Sequence, residues 1–231
     1  MGKLPFFPSD GFYLRDDFYG ETAATTGLIG ELQWDITAIT GAGTPVYVTG
    51  EDADTYGVLR SVTDGTTAHG QAIHLFADGI ILGPKGGYFK AKMRVHDTLT
   101  GNNFRVGLQN SVTATDSTVG IWVDALVGVI TVQADSSHGD NTLTPTGIPS
   151  LTSGTTMVLD TWHVFEVKWS GANAQGGPKT VEAYIDGYFA GSIPCEIDND
   201  ETMEVSITHW DTGAGATLEV DIDYFELVLN R

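Results

Sequence analysis

Residues 161–193 constrain the fold more than any other part of the chain. They read TWHVFEVKW, then a loop rich in Gly, Asn and Pro, then VEAYIDGYFAGSI. In the first half His163, Phe165, Val167 and Trp169 alternate with Trp162, Val164, Glu166 and Lys168. Successive side chains of a strand point to opposite faces, so this segment is a strand with one heavy apolar face. Gly171, Gly176, Gly177 and Pro178 make 170–179 a loop. Val181, Ala183 and Ile185 then face inward, and Glu182 and Tyr184 outward. Asp186-Gly187 predicts a tight turn before the chain returns over 189–193.

The same period recurs along the chain. Phe89, Ala91, Met93 and Val95 alternate with Tyr88, Lys90, Lys92, Arg94 and His96. Phe104, Val106 and Leu108 repeat the pattern, as do Met203, Val205, Ile207 and His209, and then Leu218, Val220 and Ile222. Segments 119–123 and 129–133 predict a hairpin around 124–128, and 58–62 and 73–76 read as a strand pair across 63–70. Short strands are predicted at 46–49 and 80–82. Residues 135–156 read as a long polar loop, the kind of segment that carries contact or ligand surfaces. No ten-residue stretch holds a helical period. Roughly a dozen short strands with turn signals between them imply a sandwich or jelly roll, with a strand from each end of the chain placed to pair.

Three stretches carry a resemblance. A Trp-led strand, a Gly-rich loop and VEAYIDG resemble the concanavalin A-like, laminin G-like jelly roll. RDDFYG…GLIGELQW over 15–34 and LEVDIDYFELV over 218–228 extend it to structural proteins of tailed bacteriophages built on that roll. The resemblance covers about residues 15–231. It implies an all-β, concanavalin A-like jelly-roll sandwich of antiparallel sheets over 16–231, preceded by a short amino-terminal arm over 1–15. It also implies a virion structural protein, made in the bacterial host cytoplasm, with other virion proteins as partners.

Composition narrows the function. The 231 residues carry a net charge of −19, which argues against nucleic acid and against anionic membranes. No apolar run approaches the ~20 residues of a membrane span. The first residues, MGKLPFFPSDGF, lack the apolar core of a signal peptide, so export by the general secretory route is not expected. The single cysteine, Cys195, excludes an internal disulfide and reads as a small buried residue. In the arm, Pro5 and Pro8 bracket Phe6 and Phe7 and forbid a helix. Those rings pack either on the body or on a neighbouring subunit. Leu4, Phe6, Phe7, Phe12 and Tyr13 are the candidate assembly contacts.

Candidate chemistry is sparse. Glu219, Asp221 and Asp223 share one strand face, like the paired carboxylates of retaining glycosidases. The laminarinase-type strand motif ends in Glu, however, and lies mid-chain, so these carboxylates read as an exposed face rather than a catalytic set. They are natural partners for the basic stripe Lys90, Lys92 and Arg94. The histidines show no zinc spacing. The acidic loops 51–54 and 198–201 lack the aspartate pattern of a calcium loop, and neither a metal nor a cofactor is expected. No Gly-x-Ser-x-Gly elbow supports a nucleophile. Trp122, Trp162, Trp210 and Tyr184 are aromatics on which a sugar can stack. Of these, Trp210 beside Asp211, together with Tyr184, are the candidate glycan contacts.

The expectation is a non-enzymatic structural component of a phage virion, foremost a capsid decoration protein. Such a protein bridges subunits of the major capsid protein and self-associates through the arm. The alternative is a carbohydrate-binding, lectin-like module, for example one that recognises a receptor at a phage tail.

Overall fold

The computed structural model describes residues 11–18, 30, 32–39, 46–48, 57–112, 117–213 and 217–230. Two antiparallel sheets form a jelly-roll sandwich. Among the described residues the first sheet has eight strands. They are numbered in chain order and run β13 (Tyr188–Pro194), β12 (Thr180–Ile185), β11 (His163–Ser170), β6 (Gly87–Val95), β15 (Glu219–Asn230), β4 (Val58–Val62) and β3 (Val46–Val48), with β1 (Gly11–Asp16) also beside β15. The second runs β10 (Gly139–Leu143), β9 (Val129–Ser136), β8 (Gly120–Leu126), β7 (Asn102–Gln109), β14 (Thr202–Asp211), β5 (Gly70–Ile81) and β2 (Asp35–Ile39).

Alternation fills the space between the sheets. Phe89, Ala91 and Met93 of β6 and Phe165, Val167 and Trp169 of β11 face Phe104, Val106 and Leu108 of β7 and Val205 and Ile207 of β14. Each large side chain so buried contributes about 1.5–3 kcal/mol. β15 joins the two ends of the fold. One edge pairs with β6, while the other pairs first with β4 over 219–222 and then with β1 over 225–230. A bulge between Ile222 and Tyr224 shifts the phase, so that Val220, Ile222, Phe225 and Leu227 all point into the core. The predicted pairing of the two chain ends is thus realised.

Several expectations need correction. Segments 58–62 and 73–76 do not pair with each other. They lie in opposite sheets, and 63–69 crosses between them. The polar stretch 135–156 contains β10, an edge strand with no apolar stripe to announce it. The β8–β9 hairpin closes tightly at Val127-Gly128, both left-handed (φ 52° and 77°), instead of through a five-residue loop. Asp186-Gly187 takes the same form (φ 52° and 81°), as its sequence requires. Within the proposed arm, 11–15 belong to the sheet. Phe12 and Tyr13 sit opposite Leu229 and Val228, and Phe12 packs edge-on against Phe76 at 5.8 Å. Leu4, Phe6 and Phe7 lie outside the described residues, as does the acidic loop 51–54.

Polar groups tie the core together. Asp16 is fully buried and accepts from the Trp34 indole at 2.9 Å and from the Phe18 and Leu32 amides at 2.7 and 3.0 Å. His209 of β14 hydrogen-bonds Ser61 of β4 at 2.8 Å, joining the two sheets through the interior. His163 Nε2 accepts from the Val158 amide, so Nδ1 carries the proton and donates to Asp186 at 2.8 Å. Cys195 is buried, and burial pushes its thiol up to about 11, so it stays protonated and unreactive.

Candidate functional site

The faces of the two sheets that turn away from the core differ sharply. On the eight-stranded sheet this face is an ion-pair lattice. Asp221, wholly buried, sits between Arg60 Nε at 2.6 Å and Arg94 Nε at 2.8 Å. Arg60 also reaches Glu219 at 2.9 Å, and Lys92 reaches Asp223 at 2.5 Å. Glu166 pairs with both Lys90 (3.0 Å) and Lys168 (2.9 Å). Burial alone would raise the Glu166 carboxyl, but its two lysine partners hold it below the ordinary range. Lys92 and Arg94 lie over the Trp162 ring at 5.0 and 4.8 Å. The basic stripe and the acidic strand therefore satisfy each other, and the three carboxylates flagged by their spacing are held in structural pairs.

On the seven-stranded sheet the corresponding face is polar and buried over β14, β7 and the middle of β8, with Leu126 and Val129 exposed at one corner. Register sets four rows across β14, β7, β8 and β9: Trp210–Asn103–Leu126–Val129, Thr208–Arg105–Asp124–Thr131, Ser206–Gly107–Trp122–Gln133 and Glu204–Gln109–Gly120–Asp135. At the centre Arg105 Nε donates to Asp124 Oδ1 at 2.7 Å, and the Trp122 indole donates to Asp124 Oδ2 at 2.9 Å. The guanidinium lies between the rings of Trp122 (5.2 Å) and Trp210 (5.5 Å), a cation–π sandwich. Each tryptophan faces a glycine on the next strand. A Cβ on Gly107 would stand 2.9 Å from Trp122 Cβ, and one on Gly70 would stand 2.7 Å from Trp210 Cβ. Gln109 Nε2 donates to Ser206 at 2.5 Å, while Gln109 Oε1 and Thr208 Oγ1 are buried with no hydrogen-bond partner. Toward β2, His74 bonds Glu204 and Thr37 at 2.8 and 2.9 Å. The Glu204 hydrogen bond raises the imidazole pKa above its ordinary value.

The row through Gly120 leads to an open pocket. Beyond Asp135 the register continues to Asp140 of β10. Here Ser117, Thr118, Val119, Asp135, Ser136, Ser137 and Asp140 line a pocket of about 480 Å³. Thr118, Ser137 and Asp140 are exposed there and can exchange hydrogen bonds with a polyol, while Ser117 and Ser136 are buried and bonded to Asn110 and to the Gly139 carbonyl. Among the described residues no group of three His, Cys, Asp or Glu side chains is placed to hold a metal ion. The 198–201 carboxylates instead brace the β9–β10 hairpin. Asp198 bonds His138 at 3.0 Å, and Glu201 accepts from the Ser137 and Asp198 amides at 3.2 and 2.8 Å.

The structure does not bring the three candidate glycan contacts together. Trp210 is 5% exposed and Arg105 lies 5.5 Å from its ring, so little ring face is left for a sugar. Asp211 is fully buried and accepts from the Gly213 amide at 2.6 Å. Tyr184 lies on the opposite sheet, bonded to Glu182 at 3.1 Å and capped by Lys168 at 4.4 Å from its ring. The residues of the open pocket were not named individually from the sequence, but Asp135, Ser136, Ser137 and Asp140 fall in the polar stretch 135–156 that reads as a contact or ligand surface.

No protein-family model matches the chain, and no curated protein matches it. Solved structures match in fold. A protein of unknown function from Shewanella oneidensis MR-1 superposes with a TM-score of 0.61 at 12% identity, covering 96% of this chain and 88% of that one. The cellulose induced protein Cip1 gives 0.57 at 15% identity, covering 93% and 96%. A botulinum neurotoxin DC binding domain, solved with a sialylated ligand, gives 0.51 at 7% identity over 89% of this chain. This chain spans 47% of that domain. At these identities the likeness establishes the β-sandwich fold.

Proposed function

We propose that the chain is a carbohydrate-binding, lectin-like module that acts without catalysis. The observation that carries this reading is the hydroxyl- and carboxylate-lined pocket at the end of the polar face. Ser137 and Asp140, the exposed residues of its β9–β10 side, offer sugar hydroxyls a donor and acceptors. The Arg105–Asp124–Trp122 layer behind them fixes the strands that carry the pocket. Botulinum neurotoxin binding domains of the same fold, one solved with a sialylated ligand and one from a toxin whose cell entry depends on two ganglioside molecules, support the class of ligand. A virion setting, with the major capsid protein and self-association as contacts, rests on the sequence resemblance alone. We carry it as the proposed location of the module rather than as its activity.

The test is a glycan array with the purified chain, followed by calorimetric titration of the best ligand. Asp140→Ala and Ser137→Ala are expected to weaken binding at least about tenfold, or ~1.4 kcal/mol, with unchanged melting temperature. An array with no bound glycan, or full affinity in both variants, sinks this reading.

A further inference from the structure

The β12–β13 hairpin turns aromatic side chains to solvent. Among the described residues Phe189 is the most exposed large apolar side chain, at 58%, and Tyr188 beside it is 49% exposed. β13 is the edge of the eight-stranded sheet, and its register with β12 shifts between Ala183 and Tyr184. Continued from the Ala183–Gly191 pair, the register would set Phe189 opposite Ile185, which is buried in the core. The extra residue, Ala190, turns Phe189 to the outer face instead, opposite Tyr184. On the core side Leu143 of β10 stands against β13, where a Cβ on Gly191 would lie 2.7 Å from its Cδ1. The turn that leads into β13 is fixed. The Asp186 carboxylate accepts from His163 Nδ1 at 2.8 Å and from the Val164 amide at 2.7 Å, and the Asp186 amide donates to the Val164 carbonyl at 2.8 Å.

Tyr184 backs the exposed ring. The two ring centres are 5.4 Å apart with the planes tilted by 60°. Tyr184 is itself held by Lys168, 4.4 Å from its ring, and by the hydrogen bond its hydroxyl donates to Glu182. The next outward row along these strands is Lys168–Glu182–Ser192, two residues or about 7 Å away. Glu182 accepts hydrogen bonds, and Ser192, which is exposed, both donates and accepts. An open aromatic ring with polar groups to one side suits a ligand that is apolar on its faces and polar at its rim. A pyranose has that form. Its C–H bonds point from the ring faces, toward the negative face of an aromatic ring, and its hydroxyls radiate from the edge. Other occupants fit less well. The bulge, and Pro194 with no N–H to donate, hinder the addition of a peptide strand at this edge. The net charge of −19 repels a nucleotide or a carboxylated sugar. We propose that Phe189, backed by Tyr184, is a stacking platform for one ring of a neutral hexopyranose, with Glu182 and Ser192 receiving its hydroxyls. This proposal rests on the carbohydrate-binding reading and adds a second subsite to it, on the opposite sheet.

Saturation-transfer NMR on the whole chain tests it, with a panel of neutral gluco-, manno- and galacto-oligosaccharides. When the aromatic protons are irradiated, the C–H protons on one face of a bound sugar ring are expected to take up saturation most strongly. Phe189→Ala, at an exposed site, is expected to keep the melting temperature and to weaken this binding at least about tenfold. Phe189→Tyr keeps the ring face and the signal. Asp140→Ala, altered only in the pocket on the other sheet, is expected to show the signal undiminished. No transfer to any sugar of the panel, an equal signal in Phe189→Ala, or its loss in Asp140→Ala overturns the platform. So does tighter binding of a hexaproline peptide, which would make this a peptide site. Where sugar binding persists at the Ser117–Asp140 pocket in these cases, the platform alone falls. A chain that binds no sugar at all overturns the functional reading with it.

Discussion

Arg105 and Asp124 form an ion pair at 2.7 Å with both side chains essentially sealed from solvent, at the centre of the seven-stranded sheet. Removing both charges from water costs several kcal/mol, and the pair holds because Trp122 supplies a further donor and the two indoles flank the guanidinium. Arg105→Met leaves Asp124 charged and buried. It is expected to lower stability by about 3–5 kcal/mol in urea denaturation. The double variant Arg105→Met/Asp124→Leu is expected to recover most of that loss. A double variant no more stable than Arg105→Met would show that packing, not the stranded charge, sets the cost.

His209 makes stability depend on pH. Burial drives its pKa from 6.5 down to about 3, although Asp211 pulls the other way. Between those values the unfolded chain binds a proton that the folded chain refuses. The stabilisation is therefore full above pH 6.5 and declines as pH falls, by up to ~1.4 kcal/mol per unit. His74 has the opposite sign. Its pKa is raised by Glu204, so its contribution is full below 6.5 and is lost as pH rises through the raised value. Denaturant titrations at pH 7.5, 6.5, 5.5 and 4.5 should show a clear acid loss in the native chain and a flatter profile in His209→Gln. Equal slopes below pH 6.5 would remove His209 as the source.

Strands were legible wherever one face was apolar. β6, β11 and β12 followed from alternation, and the turn from β12 into β13 followed from Asp186-Gly187. β10 was hidden because GDNTL has no apolar stripe, and its pairing with β9 rests on backbone bonds at a sheet edge. β4 and β5 were misread as a hairpin because closeness in sequence suggests pairing, whereas the connection crosses the sandwich. The polar face was hidden for a different reason. Arg105, Asp124 and Gln109 occupy alternate positions that in most antiparallel sheets face water. Nothing in their identity reveals that they are buried. The one local clue was glycine inside strands, at 70, 107 and 120, where backbones and tryptophans come close.

That clue gives a direct test of packing. A Cβ at position 107 would lie 2.3 Å from the Ile121 carbonyl oxygen and 2.7 Å from Trp122 Cα, both backbone atoms that cannot swing aside. Gly107→Ala is expected to destabilise the fold by at least ~2 kcal/mol, in the range of overpacked cores. Gly83→Ala meets open space and is expected to be neutral or slightly stabilising. Similar melting temperatures for the two variants would contradict the strand spacing described here.

Asp221 tests whether the ion-pair lattice is structural. Its side chain is wholly buried between Arg60 and Arg94, whereas the Lys168–Glu166 pair leaves 43% of the lysine side chain exposed. Screening decides the difference in energy. The exposed pair is worth about 0.2–1 kcal/mol and weakens with salt, while losing the buried carboxylate takes from each guanidinium its most buried partner and leaves Arg60 on Glu219 and Arg94 on Asp160. Asp221→Asn keeps the shape and removes the charge. It is expected to cost about 3 kcal/mol or more, nearly independent of salt between 0.05 and 0.5 M. Lys168→Met is expected to cost under ~1 kcal/mol, and that cost should vanish at high salt. Sugar affinity at the Ser117–Asp140 pocket should survive both, because that pocket lies on the other sheet. A variant at Asp221 that folded as stably as the native chain but lost its ligand would return the acidic strand to the list of functional sites.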